Sequence, residues 1–218
     1  MATRAKRGRD TTRVLCIDVG VKNMGIVELE RSGSCPPRLL SARKVDITNN
    51  GGCQRKKCRL GHTGAMVDWV AHLLLFDEEL KRSGKLANLV LIERQPPMGF
   101  RDCEQLLFAE FRDKAKLVYP RSVHAHFKIG ALTYEERKLA VCRIATHRFG
   151  GSFAWDMVAG KEERLHDVAD AIIIGIWMFE TDSEMLKRHR RAPTGQEITT
   201  MAGMEKHRYT KSTRNFTA

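Results

Sequence analysis

The sequence predicts an α/β domain in which a mixed β-sheet is flanked by helices. Short, continuously apolar runs such as VLCI and LVLI are typical of strands buried on both faces. Longer segments elsewhere in the chain have apolar residues that recur at helical spacing. The first apolar run is followed by two more strand-like segments around a turn rich in Gly and Pro, which favours an antiparallel meander. A meander followed by alternating strands and helices indicates a mixed sheet with helices on its faces.

The first half of the chain is predicted to hold four strands and one helix. VLCIDVG, MGIVELE and LLSARKVDI form the meander. GHTGAMVDWVAHLLLFDEELKR has helical periodicity and predicts a single helix over one face of the sheet. ANLVLIE predicts a second fully buried strand, which the pair Pro96–Pro97 ends because proline lacks the amide hydrogen that a sheet requires.

The second half is predicted to hold three helices and one weaker strand. FRDCEQLLFAEFRDKAK predicts an amphipathic helix, and RSVHAHF predicts the weaker strand. TYEERKLAVCRIATHRF predicts a helix that begins at a capping box formed by Thr133 and Glu136. The last helix runs from about Leu165 to Phe179 and is apolar on nearly all sides, which predicts a buried element.

Charge and cysteine content indicate the class of partner and the compartment. The chain has 218 residues and a formal net charge of +12, so its surface attracts polyanions, of which nucleic acid is the commonest. We predict a flexible basic arm at residues 1–12, one domain at 13–182 and a flexible basic tail at 183–218. The arm is either a targeting signal or a DNA-contacting segment. The six cysteines form no compact disulfide framework, which favours a reducing, intracellular compartment. Because no apolar run is long enough to span a bilayer, we expect no membrane partner.

Four acidic residues stand where apolar segments begin or end: Asp18, Glu93, Asp167 and Asp170. An apolar element rarely carries a carboxylate without a reason, because desolvating an unpaired charge is costly. If the first and fourth strands are parallel neighbours, Asp18 and Glu93 reach the same edge of the sheet. Asp167 and Asp170 share one face of a helix because they are three residues apart. Carboxylates that converge in this way predict a site for Mg²⁺, and two such ions cleave phosphodiesters by activating water.

Each of these carboxylates also has a structural explanation when it is taken alone. Asp18 could cap a turn or belong to the phosphate loop of a sugar-kinase or actin-like protein. Glu93 could simply pair with Arg94, and acidic residues in the first turn of a helix interact favourably with its dipole. The ordered combination on suitable elements, in a strongly basic protein, favours metal-assisted cleavage of nucleic acid.

Three segments that carry these carboxylates resemble a known family. CIDVGVKN, LVLIERQPP and HDVADAIIIG, in this order, resemble the poxvirus-type Holliday junction resolvases of large DNA viruses, which belong to the RuvC-like branch of the ribonuclease H superfamily. The resemblance covers roughly Arg13 to Phe179. It implies a ribonuclease H-like fold with a five-stranded mixed sheet. It also implies a homodimer that binds branched DNA and nicks two opposed strands of a four-way junction.

The resemblance assigns a cofactor and roles to individual residues. It implies two Mg²⁺ ions per active site, with Mn²⁺ as a substitute, and no small-molecule cofactor. For a viral protein it implies action in the host-cell replication compartment, either cytoplasm or nucleus. It makes the metal-binding and catalytic carboxylates Asp18, Glu93, Asp167 and Asp170.

Basic and aromatic residues are predicted to assist the chemistry or to contact DNA. The family uses a basic residue near its site, for which Lys138 is the best match and Lys128 the competitor, while either could be an ordinary solvated lysine. The predicted DNA contacts are Lys22, Asn23, Arg94, Phe100 and Lys128. Lys22 and Asn23 could instead form a turn, and Phe100 could either wedge between bases or start a helix from the core.

Several alternatives remain open in the sequence. The segment from Asn49 to His62 looks like an insertion, in which Cys53, Cys58 and His62 either bind zinc or are incidental in a basic loop. A stripe in the predicted helix FRDCEQLLFAEFRDKAK is either core or a homodimer surface; its residues are Cys103, Leu107 and Phe111. The competing functions are a related nuclease acting on flaps or RNA–DNA hybrids, a non-catalytic junction-binding protein, and an actin-like phosphate binder. An actin-like phosphate binder would be expected to have a second glycine-rich loop, which this sequence lacks.

Overall fold

A five-stranded mixed sheet forms the centre of the fold. The computed structural model describes residues 11–52, 58, 60–161 and 164–181. The strands are β1 (Thr11–Asp18), β2 (Met24–Ser32), β3 (Arg38–Val45), β4 (Leu89–Glu93) and β5 (Ala115–Val118). Their order across the sheet is β3-β2-β1-β4-β5. The first three strands are antiparallel, whereas β4 is parallel to both β1 and β5. The predicted fold class, including the meander, is confirmed.

Helices precede and follow the parallel strands. They are α1 (Met66–Phe76), α2 (Glu78–Leu86), α3 (Arg101–Glu110), α4 (Pro120–His126), α5 (Tyr134–Phe149), α6 (Phe153–Ala159) and α7 (Leu165–Thr181). A 3₁₀ helix, Ile47–Gly52, leads from β3 towards α1. The capping box predicted at the start of α5 is present, with Thr133 as the N-cap. Within the described ranges, every helix falls short of the length and apolarity that crossing a bilayer requires.

The sheet is covered on both faces, as the continuous apolar run of β1 predicts. Leu15 and Ile17 point into a core that includes Leu73 of α1 and Leu107 of α3. Cys16 points to the opposite face, because successive side chains of a strand alternate. There it lies against α7, whose apolar residues are almost all buried. The sheet therefore lies between α7 on one side and α1 with α3 on the other.

The single helix predicted after residue 60 is wrong, since two helices replace it. The break falls at Asp77, whose Oδ1 accepts a hydrogen bond of 2.8 Å from the amide of Leu80 and thereby caps α2. Both carboxylate oxygens of Asp77 also accept hydrogen bonds from Arg43 of β3, at 2.7 and 2.8 Å. A capping residue held by an ion pair ends one helix and begins the next, although apolar periodicity continues through it.

The predicted elements between residues 101 and 127 are also partly wrong. The helix there ends at Glu110, and Ala115–Val118 forms β5 beside β4. RSVHAHF belongs to helix α4 and not to a strand, because Pro120 occupies the first helical turn, where its fixed φ favours a helix. Helix α6, which begins at the N-cap Ser152, is a further element that was not predicted.

Two predictions about the surface have different outcomes. The stripe of Cys103, Leu107 and Phe111 lies in the core, so the homodimer surface predicted there is wrong. The basic arm and tail lie almost entirely outside the described residues, as does Cys53. The proposed domain boundaries and the role of the tails therefore stay predictions.

Candidate active site

The parallel pairing of β1 and β4 brings two of the four carboxylates to one edge of the sheet. Ile17 is paired with Ile92, so the next residues along each strand, Asp18 and Glu93, both lie at the carboxyl end. Asp18 donates a side-chain hydrogen bond to Glu93. Two carboxyl groups hydrogen-bond in this way only when a proton lies between them.

The start of α7 is held against this edge by a glycine of β2. Gly25 is paired with Asp18 in the antiparallel register. A Cβ atom at Gly25 would lie 2.2 Å from the carbonyl oxygen of Asp167 and 3.3 Å from Cα of Val168. The first turn of α7 therefore rests on the bare backbone of β2, which places its acidic residues beside the end of β1. Farther along α7, Gly175 also lies close to β2, since a Cβ atom added at this position would lie 2.3 Å from Cδ1 of Leu29.

Burial and like charge raise the pKa of Asp18 and Asp170 at this edge. Desolvation raises the pKa of Asp18 well above its usual range, and the charges of Glu93, Asp170 and Asp167 add to the effect. The pKa of Asp170 is raised to about 7, first by desolvation and then by Glu93 and Asp167. These mutual effects show that all four side chains share one electrostatic environment.

Glu93 is fixed by neighbours that the sequence analysis did not identify. Gln95 donates a hydrogen bond of 2.6 Å from Nε2 to Oε2 of Glu93, and the amide of Val19 donates another. Desolvation raises the pKa of Glu93, while these hydrogen bonds and the one from Asp18 lower it. The fully buried Glu104 accepts a hydrogen bond of 2.5 Å from the amide of Gln95, so a second carboxylate holds this loop.

Asp167 forms an ion pair with Arg164 and lies beside His166 in its own turn. Arg164 Nε lies 3.0 Å from Oδ2 of Asp167, and His166 Nε2 lies 3.4 Å from Oδ1. The pKa of His166 is lowered by burial, while the charge of Asp167 opposes this effect. Arg164 is three residues before Asp167, and this spacing is the only sequence signal by which the ion pair could have been anticipated.

The donor chemistry of this edge fits a hard divalent cation. Such ions prefer carboxylate oxygens, and the raised pKa of Asp18 and Asp170 indicates that added positive charge is favourable at this edge. In the part of the chain that is described, however, no three His, Cys, Asp or Glu side chains already surround one point as metal ligands. The Asp18–Glu93 hydrogen bond and the Arg164–Asp167 ion pair each direct carboxylate oxygens to other partners. Ion binding therefore requires the shared proton to leave and these side chains to rotate.

Lys138, which is predicted to assist the chemistry, lies on α5 within electrostatic reach of Asp170. Its charge and that of Arg137 lower the pKa of Asp170. The Lys138 ammonium lies 3.9 Å from the ring centroid of Tyr134 and 3.4 Å from Glu135 Oε1. Lys128, the competitor, lies between α4 and α5 and has a left-handed backbone with φ of 58°.

The other residues predicted to contact DNA are distributed along the loops that leave β1 and β4. Lys22 is exposed and Asn23 is half-buried in the turn between β1 and β2. Arg94 directly follows Glu93, and its guanidinium lies 5.1 Å from the ring centroid of Tyr119. Phe100 precedes α3 with 47% of its surface exposed, so the alternative that it starts this helix from the core is wrong.

Solved structures of Holliday junction resolvases have the same architecture. The fowlpox virus resolvase, solved in complex with substrate Holliday junction DNA, matches with a TM-score of 0.57 and 16% identity over 79% of this chain and 100% of that chain. The yeast mitochondrial Holliday junction resolvase Ydc2 matches with a TM-score of 0.52 and 18% identity over 81% of this chain and 84% of that chain. This chain shares their fold.

That likeness agrees with the ribonuclease H-like fold implied by the three motifs, and at this identity it concerns the fold alone. A second structure, of the fowlpox virus Holliday junction resolvase, matches with a TM-score of 0.55 and 16% identity over 78% of this chain and 99% of that chain. No protein-family model and no curated protein matches the sequence.

Proposed function

We propose that this protein is a Holliday junction resolvase, a Mg²⁺-dependent endonuclease that makes paired, symmetric nicks in four-way DNA junctions during viral recombination or concatemer resolution. The observation that supports this proposal most strongly is the shared environment of Asp18, Glu93, Asp167 and Asp170 at one edge of the sheet. The fold adds support, because the same architecture occurs in a resolvase solved on Holliday junction DNA.

The four carboxylates would hold two Mg²⁺ ions, with Mn²⁺ as a substitute. When bound, these ions would supply an activated water for attack on phosphorus and neutralise the leaving oxyanion. The chain contributes a cluster of carboxyl groups whose raised pKa values reflect desolvation and mutual repulsion, so added positive charge is favoured there. Gln95 and the Val19 amide orient Glu93, so that rotation of Asp18 leaves the Glu93 carboxylate in place.

Basic residues around this pocket would bind the junction backbone. Lys138 is placed to offset charge on the phosphate, since it already acts electrostatically on Asp170. Lys22, Asn23, Arg94, Phe100 and Lys128 remain proposed DNA contacts. A junction is recognised by backbone geometry, so binding through phosphates suits a chain with a net charge of +12.

A homodimer is part of the proposal, because nicking two opposed strands requires two active sites related by a twofold axis. We also propose a reducing, intracellular compartment. The described cysteines support this, since Cys16, Cys35, Cys58, Cys103 and Cys142 are all free thiols.

The test is cleavage of a synthetic four-way junction in Mg²⁺ by the full chain. Asp18→Asn and Asp170→Asn are expected to bind the junction but to cut it at least about a hundredfold more slowly, the factor implied by losing several kcal/mol of charge stabilisation. Asp113→Asn is the matched control, because this exposed turn residue allows the same chemical change away from the site.

The outcomes separate the candidate functions. Equal activity of the two variants and wild type would contradict the assigned site. Preferential cleavage of flaps or RNA–DNA hybrids would favour another ribonuclease H-like nuclease. Tight binding without any cleavage by the wild type would indicate a junction-binding protein.

A further inference from the structure

An arginine that is not among the predicted site residues covers one of the proposed metal ligands. Arg164 lies immediately before α7, and its Nε and Nη2 atoms lie 3.0 and 3.4 Å from the two carboxylate oxygens of Asp167. The guanidinium therefore faces both oxygens, as in a bidentate pair. Nη2 also lies 3.4 Å from Nε2 of His166. The two oxygens of Asp167 are among those that the proposed function assigns to a metal ion.

The backbone of Arg164 is fixed, whereas its side chain can move. The carbonyl oxygen of Arg164 accepts a hydrogen bond of 3.3 Å from the amide of Asp167, and this turn rests on Gly25 of β2. In contrast, 47% of the Arg164 side chain is exposed, which leaves room for the guanidinium to turn outwards. An ion pair with this exposure favours the paired state by no more than about fivefold, so a second cation can compete for Asp167.

Arg164 acts on the same carboxylates as the other basic residues around the site. The hydrogen bond and the charge of Asp167 raise the pKa of Arg164, and the charge of Asp18 on β1 adds to this effect. Burial lowers the pKa of His166, and the charges of Lys138 and Arg164 lower it further. Positive charge therefore reaches the first turn of α7 both from α5 and from the residue before α7.

A phosphodiester offers the Arg164 guanidinium a second partner of matching shape. Arginine binds carboxylate and phosphate groups through the same planar fork of parallel N–H groups. Once the oxygens of Asp167 hold a divalent cation, like charge repels the guanidinium from them. The anion that then comes within reach is the DNA backbone, which the proposed function brings to this edge of the sheet.

We propose that Arg164 exchanges its partner, pairing with Asp167 in the metal-free protein and with a DNA phosphate beside the cut once a divalent cation is bound. This inference rests on the proposed function and adds a phosphate-binding residue to the same site. The exchange couples the two ligands, because DNA that draws Arg164 away from Asp167 raises the affinity for the cation. By linkage, the cation raises the affinity for DNA by the same factor.

Calorimetry with Mn²⁺ and the DNA-free full chain tests the first half of the exchange. Arg164→Gln removes the competing charge, so we expect it to bind Mn²⁺ about two- to fivefold more tightly than the wild type. Arg164→Lys keeps the charge and should bind Mn²⁺ within about twofold of the wild type. Arg148→Gln is the matched control and should leave the Mn²⁺ affinity unchanged. Arg148 is 43% exposed and pairs with Glu180, about 20 Å farther along α7.

Junction DNA tests the second half of the exchange. Junction affinity is measured in EDTA and in Ca²⁺, a hard cation that also takes oxygen ligands. Single-turnover cleavage is measured at saturating Mg²⁺. In EDTA we expect Arg164→Gln and Arg164→Lys to bind the junction within about twofold of the wild type, because Asp167 occupies the guanidinium there. In Ca²⁺ both should bind at least about threefold more weakly, and in Mg²⁺ both should cut at least about tenfold more slowly.

The outcomes distinguish this inference from the proposed function. The exchange is overturned if Arg164→Gln binds Mn²⁺ no more tightly than the wild type, or if junction binding weakens equally in EDTA and in Ca²⁺. Wild-type binding and cleavage by both Arg164 variants would overturn the phosphate contact. A wild type that binds Mn²⁺ but cuts no four-way junction would contradict the proposed function instead, and calorimetry would still decide whether Arg164 competes for Asp167.

Discussion

Under the proposed function, replacing Gly25 with alanine is expected to lower the cleavage rate more than it destabilises the fold. The new Cβ would lie 2.2 Å from the carbonyl oxygen of Asp167, whereas Cβ atoms in proteins essentially never approach a heavy atom closer than 3.0 Å. The obstructing atoms belong to the backbone of α7, so rotation of a side chain gives no relief. The start of α7 must therefore move away from the sheet by about 1 Å.

The size of both effects follows from this displacement. Forcing an extra methyl group into a packed interior costs about 1–3 kcal/mol of unfolding free energy. Gly25 is paired with Asp18, so the same movement separates Asp167 and Asp170 from the carboxylate of β1. A misplacement of about 1 Å in a catalytic arrangement lowers the rate by about a hundredfold. Junction affinity should change little, because the basic residues that we propose as phosphate contacts lie outside the start of α7.

Gly175→Ala is the matched control. Its Cβ would lie 2.3 Å from Cδ1 of Leu29, so it crowds the same helix against the same sheet, but in the middle of α7 and against a side chain. The test compares urea unfolding, junction binding and single-turnover cleavage between the two variants and the wild type. The reasoning is refuted if Gly25→Ala cuts at nearly the wild-type rate, or if Gly175→Ala loses as much activity for the same loss of stability.

Three further predictions concern charge. Because the folded protein raises the pKa of Asp170 from 3.8 to about 7, it binds more protons than the unfolded chain between these values. Metal-free protein should therefore lose stability as the pH rises through this window, and Asp170→Asn should flatten that decline in urea titrations with EDTA. Lys138→Ala should lower the cleavage rate more than the junction affinity, whereas Lys128→Ala should lower the affinity more than the rate. If both variants lower the cleavage rate equally, the separate roles of the two lysines are refuted. Asp77→Ala should cost about 1–2 kcal/mol in chemical unfolding, because it removes both the cap of α2 and two hydrogen bonds from Arg43. An unchanged unfolding midpoint would contradict this role.

The elements that sequence patterns predict correctly are those whose burial is continuous. The run from Val14 to Ile17 marks β1 because strands covered on both faces have no polar side to interrupt the pattern. The segment Ala115–Val118 gave no such signal, since it is short and half-buried and becomes a strand by pairing with β4. Helix α4 could have been recognised from Pro120, because proline is favoured in the first turn of a helix.

The candidate site shows a similar division. The positions of the four carboxylates at the ends of apolar segments were enough to select them from the acidic residues of the chain. The pKa values of these carboxyl groups, however, depend on burial and on the charges of the neighbouring carboxyl groups. Neither of these can be predicted from the local sequence. The contacts of Gln95 and Glu104 with the Glu93 loop likewise require the folded chain, because Glu104 approaches this loop from α3.

The position of α7 at the end of the described domain has a consequence for the synthesis of this protein. Asp18 and Glu93 leave the ribosome long before Asp167 and Asp170, which enter the fold only when α7 docks on Gly25. Under the proposed function, a nascent or prematurely terminated chain that stops before Leu165 holds half of the metal ligands. Such fragments should be harmless to DNA, so nuclease activity would begin only once translation has passed the last helix.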